Sequence, residues 1–208
     1  MKKRLLIFDF DGTIADTLVV ALQIINEIGG EFNLPNVSRT QFMELKHKSV
    51  PELMKMSGLS WFQLPLFVHR ARLKFKQHLK QVHPIHGMPE ILAALQERGY
   101  RMGILTSNTS EGVNSFLQDH EIPGFEFIHA PDHIFGKSRV IRQILRHHEL
   151  KEEEVVMIGD EIRDVDAARK VGIESIAVTW GFNSEELLRT GNPSHLIQTP
   201  AELLELLA

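Results

Sequence analysis

Residues 2–17 read KKRLLIFDFDGTIADT, and within them an apolar run ends abruptly in two acidic residues. The short run from Arg4 to Phe8 is typical of a strand that is covered on both faces of a sheet. Asp9 and Asp11 follow it, and residues two apart in an extended chain point the same way, so both carboxylates face one spot. Gly12 permits a sharp turn away from that spot. The stretch therefore predicts a buried strand with two acidic side chains at its carboxyl end.

Further short apolar runs follow along the chain, and amphipathic segments of helix length separate most of them. Alternation of strands and helices predicts an α/β fold, with a parallel sheet that carries helices on both faces. The predicted strands after the first are Arg101–Leu105, Phe125–His129, Val155–Ile158, Ser175–Val178 and, from a weaker pattern, His195–Ile197.

The segment from residue 16 to residue 83 breaks this alternation, because it shows only helical patterns. Its last part has an apolar stripe with a spacing of three or four residues. An all-helical block between the first and second strands predicts an inserted helical cap over the sheet. We therefore expect an α/β core made of residues 1–15 and 84–208, and a cap made of residues 16–83. The stripe consists of Leu64, Phe67, Ala71, Phe75, Leu79 and Val82.

Composition narrows the class of protein. The chain has 208 residues, of which 43% are hydrophobic and 24% charged, and its net charge is −4. This charge does not favour nucleic acid as a partner. We see neither an apolar run long enough to span a bilayer nor a cleavable leader, and therefore expect no membrane partner. Because cysteine is absent, disulfides and thiolate metal sites are excluded, and we expect a cytoplasmic location.

Polar groups follow four of the predicted elements at the edge where open parallel sheets bind ligands. They comprise carboxylates, hydroxyl and amide groups, and a lysine at the start of a helix. Carboxylates gathered in one cleft repel each other unless a cation neutralises them, and Mg²⁺ suits a few carboxylates together with a substrate phosphate. Hydroxyl, amide and lysine groups hold phosphoryl oxygens. The set predicts phosphoryl transfer. The four groups are Asp9 to Thr13, Thr106 to Asn108, Gly136 to Ser138, and Gly159 to Asp164.

These motifs resemble those of the haloacid dehalogenase superfamily, in its phosphoglycolate phosphatase-like branch with a helical cap. The stretch DFDGTIADT resembles the first motif of that family, ILTSN resembles the second, Lys137 supplies the third, and GDEIRD resembles the fourth. The resemblance spans nearly the whole chain. It implies a Rossmann-like parallel sheet core and phosphatase activity.

The resemblance also implies a role for each matching residue. Asp9 would be the nucleophile that forms an aspartyl-phosphate, and Asp11 would be the general acid and then the general base. Ser107, the backbone of Asn108 and Lys137 would hold the phosphoryl group. Mg²⁺ would be held by Asp9, the main-chain carbonyl of Asp11, and Asp160. Thr13 would lie in the shell behind these ligands, and Asp164 would lie there too or bind the metal through water.

Cations in the predicted cap have two interpretations. Lys46, His47 and Lys48 lie near a helix–helix junction, and we expect them to help read an anionic substrate. The basic stretch from His69 to His83 places its cations between apolar positions at helical spacing, which favours a solvated face over a nucleic-acid surface.

Several functions remain open at this point. The leading hypothesis is a Mg²⁺-dependent phosphatase acting on a small phosphorylated metabolite, phosphoglycolate-like or a sugar phosphate, as a monomer or homodimer. Alternatives are a phosphomutase of the β-phosphoglucomutase type, which would return the phosphoryl group to its product, and a non-catalytic binding protein of the same family. Dehalogenation is disfavoured, because enzymes of that branch lack the acid that Asp11 provides.

Overall fold

The computed structural model of the chain describes residues 5–122, 124–131 and 136–208. Arg4, the predicted start of the first strand, lies outside these residues. Strands and helices alternate through most of the described chain. The strands are β1 (Leu5–Phe8), β2 (Ala15–Asp16), β3 (His83–Pro84), β4 (Arg101–Leu105), β5 (Phe125–His129), β6 (Val155–Gly159), β7 (Glu174–Val178) and β8 (His195–Ile197). The α-helices are α1 (Leu18–Gly29), α2 (Arg39–Leu45), α3 (Val50–Ser57), α4 (Leu64–His78), α5 (Met88–Glu97), α6 (Ser110–Asp119), α7 (Lys137–His147), α8 (Ile162–Val171), α9 (Glu185–Thr190) and α10 (Glu202–Leu206).

The predicted parallel sheet is confirmed, and its strand order is β5-β4-β1-β6-β7-β8. Strand β1 lies between β4 and β6, with Phe8 opposite Ile104 on one side and Ile158 on the other. The chain segments that follow these three strands therefore leave the sheet at the same edge. Strand β6 continues one residue beyond the predicted run, to Gly159, and β7 begins one residue earlier, at Glu174.

Both faces of the sheet are covered, which explains why β1 is apolar throughout rather than alternating. Leu6 and Phe8 pack in the larger apolar core, with residues of α5 and α6. Leu5 and Ile7 point to the other face and pack with residues of α7 and α8. All of these strand residues are fully buried. Burial on both faces makes β1 a rigid support for the residues at its end.

Helices α1 to α4 form the inserted helical cap, which leaves the core after β2 and returns at β3. These two short strands pair antiparallel, and Asp16 lies opposite His83, the positions at which the sequence predicts the two junctions. Helix α1 packs along α4, and the cap also has a small apolar core of its own, made of Phe32, Met54, Leu59 and Leu64. No helix in the described part of the chain has both the length and the apolar character required to cross a membrane.

Candidate active site

The carboxylate of Asp9 is buried at the end of β1 and has partners on both oxygens. Its backbone N–H extends the sheet by donating to the Ile158 carbonyl at 2.8 Å. Oδ1 accepts a hydrogen bond from the Phe10 N–H at 2.8 Å, and Oδ2 lies 2.8 Å from the Lys137 ammonium. Asp9 is only 3% exposed. The predicted nucleophile is therefore held in one orientation, beside a cation.

Lys137, the first residue of α7, lies between two carboxylates. Besides Asp9, its Nζ donates to Asp164 Oδ1 at 2.5 Å. Burial alone would lower the pKa of Lys137, but the charges of Asp164 and Asp9 outweigh burial and raise this pKa. The ammonium therefore stays charged and offsets the charge of both acids.

Asp160 follows β6 and is fully buried, with a donor on each oxygen. Thr13 Oγ1 donates to Oδ1 at 2.6 Å, and the backbone N–H of Phe182 donates to Oδ2 at 2.6 Å. Gly12, at φ +75°, and Gly181 lie so close to this carboxylate that a Cβ on either would collide with it. Two loops therefore close tightly around Asp160, and Thr13 hydrogen-bonds the carboxylate that the sequence predicts as a metal ligand.

One carboxylate oxygen from each of Asp9, Asp160 and Asp164 lies within 4.8 Å of the others. Burial, and next the charge of Asp9, raise the pKa of Asp160 well above its usual range. Burial raises the pKa of Asp164 to about 7, although the charge of Lys137 opposes this. Three buried carboxylates offer the oxygen ligands that a hard divalent cation prefers, so this group fits such an ion.

Charge balance around the cluster also favours a cation. Asp164 engages protein donors with both oxygens, because Oδ2 accepts from the Glu161 N–H at 3.2 Å while Oδ1 accepts from Lys137. Arg163 pairs with Glu161 through two hydrogen bonds, of 2.7 and 2.5 Å. Among the described residues of the site, carboxylates outnumber cations: Asp9, Asp11, Asp160, Glu161 and Asp164 against Lys137, Arg163 and Lys46.

Asp11 lies outside the carboxylate cluster and faces a cavity. Asn108 Nδ2 lies 3.3 Å from both of its carboxylate oxygens. Burial, and next the charge of Asp9, raise the pKa of Asp11 to about 7, although the Asn108 amide opposes the rise. A carboxyl group with this pKa exchanges its proton near neutral pH, which is what general acid and base catalysis requires.

The cavity, of about 210 Å³, lies between the core and the cap. Asp11, Ser107 and Asn108 line it from the core, and residues of α1 and α4 line it from the cap. Ser107 and Asn108 follow Thr106, the first residue after β4. The backbone N–H of Asn108 donates to Thr106 Oγ1 at 3.0 Å, so this N–H already has an acceptor within the loop.

The cap cations Lys46, His47 and Lys48 do not belong to the described lining of this cavity. Lys46 lies against the core, since its carbonyl accepts from the Ser184 N–H at 2.9 Å. Partial burial lowers the pKa of Lys46, and the charge of Asp160 opposes that change. Lys46 therefore interacts electrostatically with the carboxylate cluster. His47 is exposed and lies 3.6 Å from Glu186. Lys46 is therefore the cation among these three on which a carboxylate of the site is seen to act.

Sequence reasoning missed two features of the site. Glu161 lines the cavity beside Asp11 and carries the pair with Arg163, yet no role was inferred for either residue from the fourth motif. Arg72 lies in the basic stretch for which the sequence predicts a solvated face, and for this residue the prediction is wrong. A signal was present: Val68, Ala71, Arg72 and Phe75 have the spacing of one helical face, and all line the cavity.

Comparisons with known proteins agree with this site. Residues 6–178 match the haloacid dehalogenase-like hydrolase family. A phosphoglycolate phosphatase of Synechococcus elongatus is 32% identical over 201 residues, which cover 96% of this chain and 95% of that protein. A 5'-nucleotidase of Pseudomonas aeruginosa is 28% identical over 216 residues, covering 97% and 94%. The solved structure of a haloacid dehalogenase-like hydrolase from Streptococcus pneumoniae, 24% identical, has a TM-score of 0.82 and 99% coverage of both chains.

The family match and the geometry concern the same part of the molecule. Residues 6–178 include the acids and the lysine of the site, from Asp9 to Asp164, but not Gly181 and Phe182, which close on Asp160. The two relatives named above match nearly the full length of this chain, the helical cap included. The chain therefore belongs to the haloacid dehalogenase-like hydrolase family, in its phosphatase branch.

Proposed function

We propose that this protein is a Mg²⁺-dependent phosphatase that hydrolyses a small phosphorylated metabolite through an aspartyl-phosphate intermediate. One observation supports this most directly: the buried Asp9 carboxylate lies 2.8 Å from a charged lysine, two residues before an acid whose pKa is about 7. A fixed nucleophile, a cation for the phosphoryl charge and a proton donor are the groups that phosphate-ester cleavage needs.

The reaction has two steps. An Asp9 oxygen attacks phosphorus, the bond from phosphorus to the ester oxygen breaks, and Asp11 donates its proton to the departing alkoxide. Asp11, now ionised, takes a proton from water as that water attacks the phosphorus, and the bond to Asp9 breaks to release phosphate. A pKa of about 7 lets Asp11 donate in the first step and accept in the second.

The remaining residues bind or orient. Lys137, Ser107 and Asn108 would hold phosphoryl oxygens, with Lys137 already placed beside Asp9. Asp9, the Asp11 carbonyl and Asp160 would hold Mg²⁺, which when bound supplies positive charge against the phosphoryl oxygens. Behind these ligands, Thr13 donates to Asp160 and Asp164 holds Lys137. Each of these partners limits the rotation of a group that contacts the substrate or the metal.

The substrate is proposed to be small, phosphoglycolate-like or a sugar phosphate. The cavity of about 210 Å³ is below the range of roughly 300–1,000 Å³ that holds drug-sized ligands. Lys46 is the proposed cap contact to an anionic group on the substrate, because the charge of Asp160 acts on its pKa. The relatives act on different phosphate esters by name, so they support the reaction rather than one substrate.

The test is phosphate release from a panel of phosphorylated metabolites with Mg²⁺, for wild type, Asp9→Asn and Asp166→Asn. Asp166, on α8, pairs with Arg169 at the surface and is the matched control. We expect wild type and Asp166→Asn to release phosphate and Asp9→Asn to release none above background. Isomerisation of a sugar phosphate without release would instead support the phosphomutase. Failure of wild type on the whole panel would support a binding protein.

A further inference from the structure

Helix α4 presents one charged residue on an otherwise apolar face. Val68, Ala71, Arg72 and Phe75 follow the spacing of a single face, and together they line the cavity between cap and core. An apolar side chain at position 72 would make this face apolar throughout, yet the chain has a half-buried guanidinium there. Burying part of an arginine costs free energy unless its N–H groups have hydrogen-bond acceptors.

The Arg72 guanidinium reaches two loops of the core. Its Nε donates to the carbonyl of Ser107 at 2.7 Å, and its Nη2 donates to the carbonyl of Pro131 at 2.9 Å. Ser107 follows β4, and Pro131 follows β5, the neighbouring strand. Because a guanidinium is planar and its donors are rigidly arranged, one side chain sets the relative position of both loops.

The first contact fixes a peptide unit inside the proposed phosphate site. The Ser107 carbonyl and the Asn108 N–H belong to the same planar peptide group, so they point in opposite directions. Arg72 holds the carbonyl end, while Thr106 Oγ1 accepts from the N–H end at 3.0 Å. With both ends held, this peptide group cannot rotate, which restricts the backbone from which the Ser107 and Asn108 side chains leave the loop.

We propose that Arg72 is a positioning residue for phosphate binding, by which the cap orients the Ser107–Asn108 loop of the core. This inference rests on the proposed function, since it assigns that loop to the phosphoryl group. Arg72 is on the cap and both carbonyls are on the core, so the contacts exist only while α4 lies against the core. The orientation of that loop therefore depends on the packing of α4 against the core.

The test uses Arg72→Met, which keeps an unbranched apolar stem but removes the donors, and Arg72→Lys, which keeps the charge. Arg70→Met is the matched control, because Arg70 lies on the same helix and pairs with Glu31 at the surface. Affinity for inorganic phosphate is measured by competition or calorimetry in the presence of Mg²⁺. Hydrolysis of substrates with unlike alcohol groups is measured alongside, and thermal unfolding checks the fold.

We expect Arg72→Met to weaken phosphate binding about tenfold, the scale of a lost charged hydrogen bond, and Arg72→Lys to recover part of this loss. The loss in kcat/KM should be the same factor for every substrate, because Arg72 acts on the phosphate end. Arg70→Met should bind phosphate as wild type does.

Three results would overturn the inference. The first is unchanged phosphate affinity in Arg72→Met, with or without a lower unfolding temperature. The second is a loss confined to one substrate, which would make Arg72 a reader of the alcohol group. The third is wild type that binds no phosphate, which removes the assigned site. Wild type that binds phosphate but hydrolyses nothing would contradict the proposed function alone, and the affinities of the variants would still decide the role of Arg72.

Discussion

The two sides of the site are held together in different ways. On the inner side, Asp9, Lys137, Asp160 and Asp164 are buried, and each charged group has at least two partners from the core itself. On the outer side, Asp11 and the Ser107–Asn108 loop face a cavity whose opposite wall belongs to the cap. The inner groups are fixed by local packing, whereas the outer side depends on a cap helix and, in our proposal, on one arginine.

This difference corresponds to two roles, the reaction at phosphorus and the selection of the substrate. The reacting groups are mounted on buried parallel strands, which tolerate little movement because their apolar contacts surround them on both faces. The groups that contact the rest of the substrate lie between the cap and the core. Contacts between two such parts form and break together when one part moves. Variants of the inner groups and of Asp11 should therefore abolish or strongly reduce the reaction, whereas variants of the cap residues should adjust affinity.

After Asp9→Asn, the largest effect is expected for Lys137→Met. It leaves Asp9 and Asp164 buried beside each other without their cation, so activity should fall by roughly 10²–10³-fold. Stability should fall by about 3–5 kcal/mol, the cost of leaving a buried charge unpaired. Urea unfolding and steady-state kinetics measure the two. The double variant Lys137→Met/Asp164→Asn should regain stability but not activity, and recovery of activity would contradict the proposed contact of Lys137 with the phosphoryl group.

Gly181→Ala tests how tightly the loops enclose Asp160. The added Cβ collides with that carboxylate, which must move, and a displacement of this kind reduces activity by roughly 10²-fold. Kinetics at several Mg²⁺ concentrations measure the effect, and we expect the apparent metal affinity to fall too. Gly30→Ala is the control, since nothing lies near its Cβ position. Normal activity of Gly181→Ala would show that the Asp160 loop is adaptable.

The third prediction concerns pH and metal together. Without metal, the folded protein raises the pKa of Asp11 and of Asp164 to about 7, mainly through burial. Between about pH 4 and pH 7 the folded state thus binds more protons than the unfolded chain, so stability falls as pH rises through this window. A cation competes with these protons, so its stabilising effect should grow with pH.

Thermal unfolding with EDTA and with Mg²⁺, at pH 6 and pH 8, measures this linkage. We expect Mg²⁺ to raise the unfolding temperature at both values and by more at pH 8. The Asp11→Asn variant should lose less stability with rising pH in EDTA, because it lacks one of the groups that bind a proton on folding. An Mg²⁺ effect that is independent of pH would argue against binding at buried, protonated carboxylates.

The smallest effect is expected on the cap. Lys46→Met should raise KM by about threefold with kcat unchanged, because a partly exposed cation contributes little free energy. His47→Ala should match wild type, since that ring faces Glu186 at the surface. Steady-state kinetics on the preferred substrate distinguish them. A fall in kcat for Lys46→Met would assign this residue to the chemical step and weaken the contrast between the two sides.

Sequence patterns were sufficient for the sheet and for naming the residues of the inner side, but not for the contacts among them. The run before Asp9 was readable as a buried strand because a strand covered on both faces is apolar at every position. Asp160 and Lys137 were found because they stand directly beside such runs or at a helix start. Arg72 was missed, since a helical stripe with a cation inside it looks like the edge of a solvated face. The occupied N–H of Asn108 was missed as well, because hydrogen bonds within a loop leave no periodic pattern.

The sequence by itself determined the α/β class, the strand ends and the residues at them, since these follow from local periodicity and from chain direction in a parallel sheet. Tertiary structure alone decided which carboxylates converge within 4.8 Å, which of them Lys137 bridges, and that Arg72 reaches Ser107 across 35 positions of chain. These distances depend on how layers pack, and packing is a property of the whole chain rather than of any segment. The raised pKa of Asp11 has the same origin, because burial exists only after the cap and core have come together.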